Sequence, residues 1–281
     1  MKNNNIILGL AFGYEFDELK PFLYSLARTG FNGELCLMVT NISGETLNSL
    51  SLLGNSSNYK INIIPFEARD MNLRIYRYLL YHNYLTEYIK NKMNDDENKH
   101  NIMLTDVRDV VFQKDPFDFD INNLCCFLED KSQSINSCPY NSSWINDQFG
   151  HNVLDEIGSN IISCSGVTIG DYRSIIIYLE TMIDCTNRLG KKAYNDQGIH
   201  DQGIHNYIIY HRENILKNKA NLKLFENGKG PVFTMGYVKD ILLNNNGFII
   251  NDDGSIANIL HQYDRHPEIY VKANIFQKLI R

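Results

Sequence analysis

Leu104-Thr105-Asp106-Val107-Arg108-Asp109-Val110-Val111-Phe112-Gln113-Lys114-Asp115-Pro116-Phe117 is the stretch whose reading decides the fold. Just before it, Asn101 to Thr105 reads as a short buried strand. The strand gives out at two carboxylates, Asp106 and Asp109, with Arg108 between them, and a second apolar run, Val110-Val111-Phe112, follows at once. Open α/β sheets place their ligands at the carboxyl ends of strands. Hard divalent cations take oxygen ligands and share them with substrate phosphates. An acid pair in this place offers a metal and phosphate site. Its alternative is a surface turn with a local Asp–Arg pair, worth little energetically.

Outward from this stretch, apolar runs alternate with amphipathic ones. Ile6 to Phe12, Leu35 to Thr40 and Ile61 to Pro65 read as strands. Between the first two, Leu19, Phe22, Leu23 and Leu26 share a helix face, with Asp17 as the cap and Gly30 as the stop. A second helix runs around Leu47 to Leu53, and a long one from Met71 to about Met93 ends in a polar loop. Beyond the acids, Leu124 to Leu128 reads as a strand ending in Glu129 and Asp130, and Trp144 to Ile157 as a helix. Ile161 to Thr168 follows as a strand interrupted at Gly166, then a helix from Tyr172 to about Arg188. Later strands are expected at Leu222 to Phe225, Val232 to Met235, Phe248 to Ile250 and Ile256 to His261, with a closing helix near Ile275. Strands alternating with helices imply βαβ units, so the fold class is α/β, Rossmann-like, with a mostly parallel sheet flanked by helices.

The 281 residues, 43% of them hydrophobic, suffice for one substantial core, and no Pro/Gly/Ser-rich linker divides them. A formal charge of −6 argues against a nucleic-acid surface. None of the six cysteines forms a CxxC pair, so buried free thiols in a reducing compartment are expected. The apolar N-terminal run is broken by Gly9 and Gly13 and is too short to span a membrane. A cytoplasmic location follows, which permits peripheral contact with a membrane but no transmembrane segment.

Further constellations bear polar chemistry. Ser163 to Gly170, SCSGVTIG, puts glycine in a strand, either for close approach of backbone to a ligand or for a bend. Phosphate-loop and dinucleotide fingerprints are both missing. Residues 196–205 are a tandem repeat, DQGIH-DQGIH, running into Asn206. Asp201-Gln202 at a helix start suit hydrogen bonds to sugar hydroxyls, or an ordinary first helical turn. His200 and His205, five residues apart, do not share a helical face as a zinc pair would. His261 ends a strand and opens HQYDRHP, where Arg265 offers a fork for phosphate. Arg74 and Arg77 lie a turn apart on the long helix, placed either to reach a phosphate or on a solvated face, and Trp144 is core, groove lining or a sugar platform.

Taken in this order, the sites resemble those of glycosyltransferases of the GT-A fold. The 104–117 stretch is similar to that superfamily's Asp-x-Asp segment, in a DVRD variant with Val107 and Arg108 between the acids. Aligned on the apolar run, Asp109 matches the second acid and Asp106 the first. SCSGVTIG resembles the strand beneath the donor sugar. Asp201, Gln202 and Asn206 match the Asp-Gln-x-x-x-Asn spacing of retaining members, which selects the second repeat copy and leaves the first as a lead-in loop. HQYDRHP resembles the late segment that supplies the last metal ligand, although no His-x-x-Gly-x-x-Lys pattern follows His261.

The resemblance implies Mn²⁺ or Mg²⁺ held by Asp106, Asp109 and His261, and Ala11, Phe12, Gly13 and Tyr14 beside the nucleotide base. It places Arg77, Asp106, Arg108, Ser165, Gly166 and Arg265 on the donor, and Asp201 and Gln202 as catalytic residues facing sugar and acceptor. The implied reaction moves a sugar from a UDP- or GDP-sugar to a hydroxyl of a glycan or glycolipid, with retention slightly favoured. The donor nucleotide half would span about 1–120 and the sugar and acceptor half about 121–281 of one domain. A sugar nucleotidyltransferase is the enzymatic alternative, but Ala11 to Asp17 lacks the basic loop that cradles a triphosphate. A nucleotide-sugar or glycan-binding module without turnover is the other, and the intact acids speak against it.

Overall fold

The computed structural model describes residues 5–92, 100–190, 192–211, 216 and 220–267. Strands β1 (Ile6–Phe12), β2 (Glu34–Thr40), β3 (Lys60–Pro65) and β4 (Asn101–Thr105) alternate with helices α1 (Phe16–Arg28), α2 (Gly44–Ser56) and α3 (Leu73–Lys92). Then come β5 (Val110–Phe112), β6 (Leu124–Leu128), α4 (Pro139–Phe149), α5 (His151–Ile157), β7 (Ser163–Asp171), α6 (Tyr172–Arg188) and α7 (Asp201–Tyr210). Strands β8 (Leu222–Phe225), β9 (Val232–Thr234) and β10 (Ile259–His261) complete the described elements.

Seven strands form the main sheet in the order β3-β2-β1-β4-β7-β6-β8, and only β7 runs against the others. The sheet is mostly parallel, as the alternation predicts. Strand β1 shows why its sequence is a continuous apolar run: Ile6 and Leu8 enter a cluster shared with α3, α6 and α7, while Ile7 and Ala11 enter one shared with α1. A strand buried on both faces has no polar face to alternate with. Helix α6 has the bounds its sequence suggests. Asp171 caps it by accepting the Ser174 N–H at 2.8 Å, and Ile175, Tyr178, Leu179 and Met182 form its buried stripe. Each aliphatic side chain so buried contributes about 1.5–3 kcal/mol.

Several local expectations are corrected. Helix α1 is capped by Glu15, in a reciprocal capping box with Glu18. Asp17 lies inside the first turn and pairs with Lys20 at 2.5 Å. The single helix expected from Trp144 to Ile157 starts at Pro139 and breaks in two at Gly150, whose φ of 87° no helical residue adopts. Gly166 does not interrupt β7; the irregularity lies in its pairing with β6, where the register slips between Cys126 and Phe127. Of the two last strands expected, Phe248 to Ile250 makes only isolated bridges and the second is regular only over Ile259–His261. The closing helix expected near Ile275 lies outside the described residues.

A second, three-stranded sheet, β5-β10-β9, sits beyond the end of β4. Its strands have three residues each, with β10 antiparallel to β5 and parallel to β9. The chain passes from the large sheet to the small one through residues 106–109, so the acids occupy the crossing itself.

Candidate functional site

Two backbone pairings fix the acids. The Asp106 N–H donates to the Gly166 carbonyl at 2.8 Å, which docks the end of β4 on β7. Val110 faces His261 in the β5–β10 ladder, and the Gln262 N–H donates to the Asp109 carbonyl at 2.8 Å. These pairings gather Asp106, Asp109 and His261 so that one ligand atom from each lies within 4.8 Å of the others. The His261 Nε2 stands 3.7 Å from Asp106 Oδ2 and 3.8 Å from Asp109 Oδ2. Both separations are too long for hydrogen bonds. The ring is 1% exposed, yet its Nε2 has no hydrogen-bond partner. A buried ring nitrogen aimed between two carboxylates and bonded to neither fits a divalent cation of the Mn²⁺ kind, which accepts one imidazole among oxygens.

The electrostatics of the cluster favour positive charge at this point. Burial works against ionising Asp106, but Arg77 and His261 outweigh it and hold its carboxyl well below the usual range. Burial raises Asp109, with Asp106 and Asp264 adding to the rise and His261 opposing it. For His261 burial disfavours the cation, but the Cys164 sulfur and both carboxylates outweigh it and raise the pKa. The two acids stand almost equally close to the histidine.

Gly166 has a steric duty here. A Cβ at this position would come within 2.3 Å of His261 Cε1 and 2.7 Å of Asp106 Oδ2, so only glycine leaves the cluster room. Arg77 is the chief surprise. In place of a solvated helix face, its guanidinium lies buried between two acids, donating from Nη1 to Asp106 and from Nη2 to Asp201 at 2.5 Å. Tyr78 donates to the same Asp201 oxygen at 3.0 Å. One arginine thus joins the crossing between the sheets to the start of α7.

The Asp-Gln-x-x-x-Asn segment divides its work. His200 is the N-cap residue of α7, and Asp201, 6% exposed, opens its first turn. The Gln202 Oε1 accepts from the N–H and the hydroxyl of Ser165, both at 2.8 Å, and its Nε2 donates to the Ser163 carbonyl at 2.7 Å. Asn206 accepts from the Ser163 N–H at 2.9 Å and donates to its carbonyl at 3.0 Å. Two side-chain amides therefore take the place of a neighbouring strand along β7 beyond the end of β4. His205 is buried between Ser163 Oγ at 3.0 Å and Tyr178 OH at 2.7 Å, while His200 stacks on Trp144 with ring centroids 4.4 Å apart.

Beside the acids lies a cavity of about 440 Å³, lined by Phe12, Tyr14, Arg77 and Asp106, and by Arg69, Asn72, Arg74 and Gln197, of which the sequence offers only Arg74 for a phosphate role. Phe12 is 48% exposed, an aromatic face presented to the cavity, whereas Ala11 points into the core beside α1. Gly13, with φ of 65°, turns the chain after β1. Gln197 belongs to the first repeat copy, which is a loop. The buried Asn72 holds that loop by donating to the carbonyls of Asp196 and Ile199, both at 2.7 Å. The repeat was the available signal for this wall. Arg108 pairs with Asp264 at 3.1 Å and with neither neighbouring acid, which corrects the expected local pair. Arg265 is exposed and lies against Gly236.

No family model and no curated protein matches the chain by sequence. Solved structures do. The galactosyltransferase LgtC, in complex with donor and acceptor sugar analogues, superposes with a TM-score of 0.54 at 13% identity over 98% of this chain and 94% of that one. The glycosyltransferase GlyE of Streptococcus pneumoniae TIGR4, in its apo form, gives 0.52 at 14% identity over 93% of this chain. The fold is that of the GT-A glycosyltransferases. This chain spans 54% of the GlyE chain it matches.

Proposed function

We propose that the protein is a metal-dependent glycosyltransferase, moving a sugar from a UDP- or GDP-sugar to a hydroxyl of a glycan or glycolipid. One observation carries the reading: the unpartnered Nε2 of His261 faces Asp106 and Asp109 at the edge of a cavity furnished with exposed Phe12 and three arginines. Asp106, Asp109 and His261 would hold Mn²⁺ or Mg²⁺, which supplies charge neutralisation to the departing diphosphate. Phe12 and Tyr14 provide faces for the base, and Arg69 and Arg74 provide forks for phosphate oxygens, while Arg77 holds the carboxylates of Asp106 and Asp201 in place. Asp201, oriented by Arg77 and Tyr78, points its carboxylate toward the sugar side, and Gln202 keeps Ser165 and Gly166 beside it. Much of the rate enhancement would come from such positioning.

The likeness of the Asp201–Asn206 segment to that of retaining enzymes favours retention, and the anomeric configuration of the product by NMR tests it; an inverted product rules it out. A cytoplasmic setting belongs to the same proposal, supported by six free, buried thiols. No helix among the described residues is long and apolar enough to cross a membrane. Calorimetry of UDP and GDP with and without Mn²⁺ is the first test. Binding is expected to require the metal and to be lost in Asp109→Asn. Metal-independent binding that survives the substitution would refute the site. A screen of nucleotide-sugars for metal-dependent hydrolysis then gives the donor.

A further inference from the structure

His261 turns one ring nitrogen toward Asp106 and Asp109, and what the other nitrogen touches decides how firmly it does so. That second nitrogen, Nδ1, lies 3.6 Å from the Sγ of Cys164, the second residue of β7. Among the described residues the sulfur is its one hydrogen-bond partner. The contact is enclosed, with Cys164 4% exposed. Because the sulfur sits at Nδ1, it stays outside the group of three that gathers within 4.8 Å at the acids.

Two further groups fix the sulfur's own role. The Gln262 Nε2 donates to it at 3.8 Å, and the buried Glu129 carboxylate stands beside it. An amide N–H only donates, and an ionised carboxylate only accepts. With the thiol proton turned to Glu129, the sulfur lone pairs are left for Gln262 and for the His261 Nδ1–H. The ring then carries its proton on Nδ1 and keeps a bare lone pair on Nε2, the atom that has no protein partner. Gln262 ties this arrangement to the acids. Its backbone adopts φ of 58°, uncommon for a residue with a side chain, and from there its N–H reaches the Asp109 carbonyl while its amide reaches the sulfur. Histidines that hold metals generally give their second N–H to a carboxylate, a carbonyl or water. Here a thiol stands between the ring and the carboxylate.

We infer that Cys164 is a positioning residue of the metal site: its sulfur accepts the Nδ1–H of His261, its thiol donates to Glu129, and Nε2 is thereby held toward the cation in a single tautomer. The inference rests on the transferase reading only through the cation that Asp106, Asp109 and His261 would hold.

The test is titration of the full chain with Mn²⁺ alone, followed by the electron paramagnetic resonance signal of the free ion. Cys164→Val keeps the bulk and removes the acceptor, and is expected to weaken binding about tenfold or more, as loss of an outer partner of a ligating histidine does. Cys164→Ser keeps both acceptor and donor and should restore most of the affinity. A purely packing role predicts the reverse order, since valine suits an apolar core better than serine. Cys126→Val, in β6, controls for loss of a buried thiol and should bind as the wild type does. Nitrogen NMR of the Mg²⁺-loaded wild type needs no variant to fold, and is expected to find the His261 proton on Nδ1. Unchanged Mn²⁺ affinity in Cys164→Val, a greater loss in Cys164→Ser than in Cys164→Val, or a proton on Nε2 would overturn the role of Cys164. A wild type that takes up no Mn²⁺ would overturn the metal site itself, which is a distinct result.

Discussion

Gly166, Arg77 and His205 each do a job that their residue type alone permits. Adding one methyl at Gly166 must displace His261 or Asp106. Gly166→Ala is therefore expected to weaken Mn²⁺-dependent nucleotide binding by tenfold or more (about 1.4 kcal/mol for each tenfold), measured by calorimetry, while circular dichroism stays that of the folded chain. Among the described residues, Arg77 is the one cationic partner of Asp201, and it shares itself with Asp106. Removing one partner of a buried pair strands the other charge, at a cost of about 3–5 kcal/mol. Arg77→Met should lower the urea midpoint accordingly, and Arg77→Lys by less, since it keeps the charge and loses the fork. His205 gives a pH signature. Burial, aided by the nearby Arg77, disfavours its cation and lowers its pKa to about 3. In the unfolded chain it titrates near 6.5. The unfolded state thus binds the proton first, and stability present above about pH 6.5 drains away as pH falls toward the folded value. Urea midpoints at pH 7, 5 and 4 should fall less steeply in His205→Gln than in the wild type; identical slopes would contradict this account.

Helix α7 and strand β7 show what an element can do that its sequence hides. The amides of Gln202 and Asn206 replace ladder hydrogen bonds where β7 runs past the end of β4, so Asn206→Ala should leave the N–H of fully buried Ser163 without its partner, while the carbonyl keeps Gln202. A loss of about 1–3 kcal/mol is expected, read as a lowered thermal midpoint. Apolar runs long enough to be buried on both faces, such as β1 and β4, were legible because nothing but a central strand buries them so. Helix α6 was legible because its cap and its stripe agree. The three-residue strands β5, β9 and β10 were not, since so short a segment is regular only when a neighbour pairs with it. The placement of Arg77 stayed open for a related reason: its helix is rich in tyrosines and presents no clean polar face, and only the fold reveals that two acids approach it. Cys164 and Glu129, behind His261, were likewise visible only as strand residues.

Across the whole molecule, both sheets draw strands from both halves of the chain. Strand β4 pairs with β7, and β5 pairs with β10, so neither 1–120 nor the remainder holds a complete sheet. Residues 1–120 expressed alone are expected to lack the dispersed amide NMR spectrum of a folded domain, and recovery of it on mixing with 121–281 would show that the contacts between halves supply the missing order. The two halves of the sequence are thus not independent folding units. The same interweaving explains why the clustered acids and histidine come from positions as distant as 106 and 261: the small sheet is what carries β10 back to the acids.

The repeated pentapeptide has a consequence of its own. Its two copies have identical sequences and different fates, one a turn pinned by Asn72 over the cavity beside Asp106, the other the first turn of α7. A block of five residues inserted or removed here leaves an intact DQGIHN to start the helix, with Asp201, Gln202 and Asn206 in their places. What changes is the length of the loop ahead of it. The chain therefore carries a modular spacer: copy number alone resizes one wall of the cavity, while the residues on α7 remain untouched.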